Sequence, residues 1–225
     1  MSARITSSSR SQMSLWIQAA RTFSFPASAV PMIVGMMWTL GTYNGKIYWE
    51  LVPIILLAGF LFHAGTNMLN DYFDYKKGVD KDDTFGSSRV IVDGHLKPEA
   101  VFKGGLITFA TGFALGMILV YYHGLPIFII GIIGLLGGIL YTGFGVAYKY
   151  YALGDLFVFM MFGPMMVLGT FTALTGQLDY NTFLVSIPLG LLTVAILNAN
   201  NIRDITHDNE AMVTTMATIM GVKAS

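Results

Sequence analysis

Two stretches of this chain carry the residue types that do chemistry on phosphates. The first, 67–80, reads NMLNDYFDYKKGVD and places Asn67, Asn70, Asp71 and Asp74 where an apolar run ends, with Asp80 shortly after. The second, 200–208, reads NNIRDITHD and repeats the composition with Asn200, Asn201, Asp204 and Asp208. Carboxylates at the edge of a hydrocarbon-soluble segment are costly and call for a reason. On a helix, His63, Asn67, Asn70 and Asp74 fall within roughly 60° of one another, with Asp71 at one edge, and Asn200, Asn201, Asp204 and Asp208 fall within roughly 100°. If the two faces meet, five carboxylates (Asp71, Asp74, Asp80, Asp204, Asp208) share one pocket, and their repulsion calls for cations. Hard oxygen ligands completed by water and phosphate describe Mg²⁺, which in such sites clamps a phosphate or diphosphate. Lys149 and Arg89 are the basic residues placed to neutralise the remaining charge. The bland alternative is that such acids only pair with Lys or Arg to orient helices. One Asp-x-x-Asp is a weak signal; its recurrence at a second helix end gives it weight.

The elements that must hold these residues are membrane helices. The chain of 225 residues is 54% hydrophobic and only 12% charged, with a mean hydropathy of +0.63, against about 25% charged for a soluble domain. Zero formal net charge leaves nucleic-acid binding without electrostatic support. The absence of cysteine removes disulfides, iron–sulfur clusters and thiolate zinc sites. Uncharged apolar stretches at 23–43, 51–69, 104–122, 125–148, 156–178 and 180–202 each approach or exceed the ~20 residues a helix needs to cross a bilayer. The reading is a single all-α, polytopic helical bundle over 1–225, with a polar N-terminal tail over 1–14 and no signal peptide. Six spans put all of the 13 Lys and Arg residues except Lys46 on one side, which makes that side cytoplasmic. All of the 13 acids except Glu50 and Asp179 join them, pointing to a polar site that faces the cytoplasm. Acids gathered at one face also count against an ion or proton transporter, which needs charges deep in several spans. The 209–225 segment is moderately apolar, stops before it could span, and reads as the start of a connection.

The motifs NDYFDYKKGVD and NNIRDITHD resemble the two aspartate-rich motifs of the UbiA superfamily of intramembrane prenyltransferases. ARTFSFPASAVPMIVG (20–35) is similar to that family's first helix. GSSRVIVDGHL (86–96) and YTGFGVAYKYYALGDLFVFMMFGPMMVLGTF (141–171) resemble its 1,4-dihydroxy-2-naphthoate polyprenyltransferase branch, as does the insertion 76–79. The resemblance implies Mg²⁺-dependent transfer of a polyprenyl group from polyprenyl diphosphate to an aromatic acceptor, 1,4-dihydroxy-2-naphthoate in menaquinone biosynthesis. It implies an apolar tunnel open to lipid, in an integral, multi-pass protein of the cell membrane. By the same resemblance Asp71, Asp74, Asp80, Asp204 and Asp208 would hold the metal. Asn67, Asn70, Asn201, Arg21, Arg89, Lys149 and Tyr141 would bind substrate, and Asp155 matches a polar position near the pocket. Arg203 is read as a helix-end or headgroup charge, and His63 as a helix–helix hydrogen bond. Two departures go with the match. The run after the second motif is Asn209-Glu-Ala-Met-Val-Thr-Thr215 where the family has basic residues, and six spans stand where the family has nine helices. The alternatives are a shortened non-catalytic member that binds prenyl diphosphate, a member needing a partner chain to complete the bundle, and an enzyme with another acceptor such as a porphyrin or glycerol phosphate.

Overall fold

The computed structural model describes residues 11–225 apart from Asp83, Phe85 and Ala224. Residues 1–10, most of the expected polar tail with Arg4 and Arg10, lie outside the described residues. The last of the tail is helical: Ser11 caps a short helix, α1 (Gln12–Ala19), by accepting from the Ser14 amide. The long elements follow as α2 (Pro26–Thr42), α3 (Val52–Lys77), α4 (Pro98–His123) and α5 (Leu125–Leu140). Then come α6 (Gly154–Met160), a π-helical turn (Met161–Met165), α7 (Met166–Thr175) and α8 (Tyr180–Arg203). Two short helices, α9 (Ile205–Glu210) and α10 (Met216–Met220), close the chain. No strand occurs among the described residues, only a parallel bridge between Tyr151 and Thr214.

Among the described residues, five helical segments are long and apolar enough to cross a membrane: Thr22–Thr42, Trp49–Lys77, Pro98–His123, Gly154–Thr175 and Tyr180–Arg203. The sixth expected stretch is apolar but shorter as a helix, ending at Leu140 rather than running to Tyr148. Its 16 residues rise about 24 Å, short of the ~30 Å hydrocarbon core. Residues 141–153 instead form an irregular loop with positive φ at Phe144, Gly145, Ala147 and Ala152. That loop carries Lys149 and Tyr150.

Packing fixes the acidic end from three directions. Leu15 and Ala19 of α1, Met68 of α3, Val101 of α4 and Val90, Ile91 and Leu96 of the 78–97 connection form one apolar cluster beneath the first motif. Ala147, Tyr150 and Val213 form a second, with Val79 and Ala211 against it. A third cluster, around Met32, Ile55, Leu119, Ile127 and Leu174, fills the opposite end. The segment Gly154–Thr175 crosses α8 where glycines meet. A methyl group on Gly163 would stand 2.9 Å from the Gly190 Cα and 3.0 Å from the Ser186 carbonyl oxygen. Pro164 and the π turn sit at this crossing, where the ordinary helical ladder is interrupted.

Candidate active site

The first motif is the end of α3. Gly78, with φ of 72°, ends that helix in the left-handed conformation a glycine adopts most cheaply. The turn brings the Val79 and Asp80 amides back to the Asp74 carbonyl at 2.9 and 3.3 Å, so Asp80 folds over the motif instead of continuing away from it. Asn70, Asp71, Asp74 and Asp80 are all buried. Each of the two central aspartates meets a cation of the protein itself. Asp71 pairs with Arg21, and accepts from the Ser88 amide at 3.2 Å. Asp74 accepts from the Lys149 ammonium at 2.7 Å and from the Tyr150 hydroxyl at 2.5 Å. Lys149 also donates to Asn70 Oδ1 at 3.1 Å. Asn67 donates to the Ala20 carbonyl at 3.0 Å and to Ser24 Oγ at 3.3 Å. It thereby braces the backbone on both sides of Arg21, whose φ is 52°. His63 makes the helix–helix contacts expected of it, to Ser28 Oγ at 2.5 Å and Ser24 Oγ at 3.2 Å.

The second motif is not one continuous helix. The backbone departs from helical values at Asp204 (φ −96°, ψ 7°), and α9 restarts beyond it. Arg203, the last residue of α8, is the helix-end charge expected of it, and it also forks onto Asp204 with bonds of 2.8 and 2.7 Å. Asn201 and Asp208 are half-buried. The segment that departs from the family pattern has a structural task. The Val213 amide donates to the Asp208 carbonyl at 2.8 Å, and Thr214 exchanges backbone bonds with Tyr150 and Ala152 at 3.1 and 2.7 Å. Val213 and Thr214 thus tie the second motif to the loop that carries Lys149.

The two halves share an electrostatic field. Burial, reinforced by the Asp74 carboxylate and opposed by Lys149, pushes Asp80 up to about 7. Burial also lifts Asp208 to about 6, with Lys149 opposing and Asp204 and Asp74 adding to the rise. Burial alone would lower the Lys149 ammonium, but Asp74, Tyr141 and Asp80 together more than offset it, and the ammonium is raised. Lys149 is therefore felt by carboxylates of both motifs. Gly86 approaches the second motif, since a methyl group there would stand 3.7 Å from Asp204 Oδ2.

The donor set suits a hard divalent cation. It is all oxygen, and Asp80 Oδ2 is buried with no hydrogen-bond partner among the described residues. The distances are set by ion pairs, however, and no three Asp, Glu or His side chains among the described residues converge as a metal cluster. The repulsion that seemed to demand external cations is relieved by Arg21, Lys149 and Arg203. Arg89, expected at a diphosphate, holds Asp93 at 2.7 Å and the Asp82 and Thr84 carbonyls at 3.1 and 3.0 Å. It clasps the connection after the first motif rather than facing the aspartates. Sequence reasoning missed Tyr150 and Ser88. Tyr150 had one available signal, its place next to Lys149; Ser88 acts through its backbone amide, which no side-chain pattern reveals.

Below the aspartates lies an apolar cavity of about 210 Å³. His63, Thr66, Tyr141 and Tyr148 line it near the acidic end, and Leu119 and Ile127 near the opposite turn. Gly131 and Gly116 face it with open space where a Cβ would stand. An acidic, cation-laced head above a greasy shaft suits a molecule with an anionic head and a long hydrocarbon tail.

The model of the UbiA prenyltransferase family matches residues 28–225. The chain belongs to this family, whose members are prenyltransferases. It is 33% identical over 215 residues to the UbiA prenyltransferase domain-containing protein 1 of Mus musculus, covering 94% of this chain and 63% of the relative. To its Drosophila melanogaster homolog it is 35% identical over 225 residues, covering 98% and 62%. It is 31% identical over 211 residues to the 1,4-dihydroxy-2-naphthoate octaprenyltransferase of Bacillus subtilis, covering 94% and 67%. The chain thus spans about 63% of the mouse relative's length.

Proposed function

We propose that the chain carries out Mg²⁺-dependent transfer of a polyprenyl group from polyprenyl diphosphate to an aromatic acceptor, 1,4-dihydroxy-2-naphthoate. Lys149 supports this most. Its ammonium bonds Asp74 and Asn70 of the first motif and bears on Asp208 of the second, directly above the apolar cavity. In this reading Asp71, Asp74, Asp80, Asp204 and Asp208 hold Mg²⁺, and the bound metal supplies Lewis-acid stabilisation of the leaving diphosphate. Arg21 and Lys149 exchange part of their carboxylate contacts for diphosphate oxygens, and Asn67, Asn70 and Asn201 orient the head. The cavity takes the tail and excludes water from the allylic cation. The site faces the cytoplasm, as the placement of every basic residue but Lys46 argues.

A second reading has its own observation. Asp71, Asp74 and Asp204 are already paired with protein cations, as in a member that binds prenyl diphosphate without turning it over. The test is purified full chain in nanodiscs with Mg²⁺, radiolabelled geranylgeranyl diphosphate and 1,4-dihydroxy-2-naphthoate. Prenylated naphthoate is the expected product. Retained Mg²⁺-dependent diphosphate binding with no product overturns transfer and leaves the second reading; loss of both overturns the site.

A further inference from the structure

The turn that carries Arg21 has a backbone that needs support. Arg21 stands at φ 52° and ψ 49°, in the left-handed region, between α1 and the 3₁₀ turn Thr22–Ser24. A residue with a Cβ enters that region at a cost and stays only where its surroundings hold it. Here the hold comes from side chains on the turn and on α2 and α3. The Ser24 hydroxyl donates to the Arg21 carbonyl at 2.8 Å, beside the Ser24 amide at the same distance. From α3, Asn67 donates to the Ala20 carbonyl and to Ser24 Oγ. Ser24 Oγ also meets His63 Nε2 at 3.2 Å, and His63 Nδ1 meets Ser28 Oγ of α2 at 2.5 Å. A neutral ring that donates from Nε2 to Ser24 and accepts at Nδ1 from Ser28 satisfies the whole set. The ring is clamped as well, with Phe162 edge-on at 5.0 Å and Phe25 tilted against it at 5.6 Å between centroids. His63 is buried and forms part of the wall of the apolar cavity. A chain of hydrogen bonds thus runs from the cavity wall through Ser24 to the backbone of Arg21. Beyond it the Arg21 guanidinium pairs with Asp71, while Arg21 Nε is buried and bonds to nothing among the described residues. A cation with a donor still unused can orient a ligand only if its own aim is fixed.

We propose that Ser24 and His63 are positioning residues, which hold the 20–24 turn in its left-handed form and so aim Arg21 at Asp71 and at the anionic head of the ligand. The assignment rests on the prenyl-transfer reading above only for the identity of that head, a diphosphate. Neither side chain touches the head; both act through the Arg21 backbone. Loss of the Ser24 hydroxyl takes one donor from the Arg21 carbonyl and the shared acceptor from Asn67 and His63. An apolar ring in place of His63 fills the same space but leaves Ser24 and Ser28 without their common partner. In either case the turn is free to leave the left-handed region, and the guanidinium moves with it.

The experiment measures Mg²⁺-dependent binding of geranylgeranyl diphosphate to the full chain in nanodiscs. Ser24→Ala and His63→Phe are each expected to weaken it about tenfold, the scale of one or two lost hydrogen bonds. Arg21→Gln supplies the discriminating background. Residues that act through Arg21 should cost less than about twofold more once Arg21 is gone, whereas a role in general packing adds its full tenfold there too. A second readout needs no ligand: phenylglyoxal modifies arginine side chains, and peptide mass spectrometry follows Arg21 and Arg203 in one sample. Ser24→Ala is expected to raise the labelling rate of Arg21 at least about fivefold as the turn opens, and to leave that of Arg203 within about twofold. Ser24→Ala removes a single oxygen from a half-buried residue, so it keeps the test readable if His63→Phe does not fold. Unweakened binding in Ser24→Ala, a full further loss in the Arg21→Gln background, or an unchanged Arg21 labelling rate overturns the proposal. Absence of diphosphate binding in wild type sinks the prenyl-transfer reading, while the labelling of Arg21 still decides this one.

Discussion

The two aspartate-rich segments share a composition and meet different environments. Asp71 and Asp74 are each 2% exposed, and their partners Arg21 and Lys149 are mostly buried. Asp204 and Arg203 form a pair with side chains 20% and 47% exposed, at a break between two helices. A buried pair that loses one partner costs about 3–5 kcal/mol, because the other charge is stranded. An exposed pair contributes about 0–1 kcal/mol. The first segment therefore serves the fold as well as the proposed ligand site, while the second is held by little besides its own neighbours and the bridge from Thr214 to Tyr150 and Ala152. Under the proposed function, a site that opens for a large amphiphile is well served by one fixed wall and one yielding wall.

The largest break in this contrast should come from Lys149. Lys149→Ala strands Asp74 in a buried setting and removes the cation between the motifs. At about 2–4 °C per kcal/mol for a chain of this size, a cost of about 3–5 kcal/mol should lower the melting temperature by at least about 6 °C. Mg²⁺-dependent diphosphate binding should weaken at least about 100-fold, the loss expected when a buried charged contact to a ligand disappears. An unchanged melting temperature in the nanodisc-bound protein, read by differential scanning fluorimetry, would show that the first segment is not the structural half.

The second segment should separate the two quantities. Asp204→Asn is expected to weaken Mg²⁺-dependent diphosphate binding about tenfold or more, yet to move the melting temperature by no more than about 2 °C. A melting shift as large as that of Lys149→Ala would erase the distinction between fixed and yielding walls.

Why some of this was legible in the chain and some was not follows from the range of each signal. Apolar length found the spans, and helical periodicity put Asn67, Asn70, Asp71 and Asp74 on one end of α3, because both are properties of a single helix. The family model matches residues 28–225, in line with the resemblance read from the motifs. Periodicity failed at Asp204, where the helix breaks, and at Leu140, where an apolar run leaves the helix for a loop. That loop holds Phe144, Ala147 and Ala152 at positive φ, a conformation such side chains do not advertise. Ion pairing was the larger blind spot. Arg21 lies 50 residues from Asp71 and Lys149 lies 75 from Asp74, so the chain order could show five carboxylates without showing which cations stand among them. Val213 and Thr214, conspicuous as lost basic residues, turn out to secure Asp208 and Tyr150 through the backbone.

Proton release offers a milder probe of the same contrast. Asp80, in the first segment, is lifted to about 7 and Asp208, in the second, to about 6, with burial the leading cause in both. A cation binds the ionised forms, so affinity for Mg²⁺-diphosphate should be full above pH 7 and fall as pH drops through 7 and then 6, by up to about tenfold per unit for each proton taken up. The stability of the ligand-free protein runs the other way. A carboxyl raised above its unfolded value favours the fold at low pH, and that contribution is lost as pH rises toward 7. Asp80→Asn should remove the upper step and leave the lower one. Titrating binding from pH 8 to 5.5 checks it; a single step surviving at 7 in Asp80→Asn would reassign that proton.

The smallest effect should come from Arg89, and its size tests where the first half ends. Resemblance places Arg89 at the diphosphate, whereas the fold binds it to Asp93 and to the Asp82 and Thr84 carbonyls. Its influence on the site then passes along the backbone to Ser88, whose amide reaches Asp71 at 3.2 Å. A residue acting through one such step should matter a few-fold: Arg89→Gln is expected to weaken diphosphate binding by about three- to fivefold, within the range of a lost exposed ion pair. Asp93→Asn should do the same, because it releases the same clasp while leaving the arginine charge in place. If Arg89 instead swings to the diphosphate when substrate binds, Arg89→Gln will cost about 100-fold and Asp93→Asn will cost nothing or tighten binding, since the freed guanidinium is then available. Equal, small losses in the two variants place the boundary of the fixed wall at Ser88; opposite outcomes extend the binding surface outward to Arg89 and make the Asp93 pair a resting position.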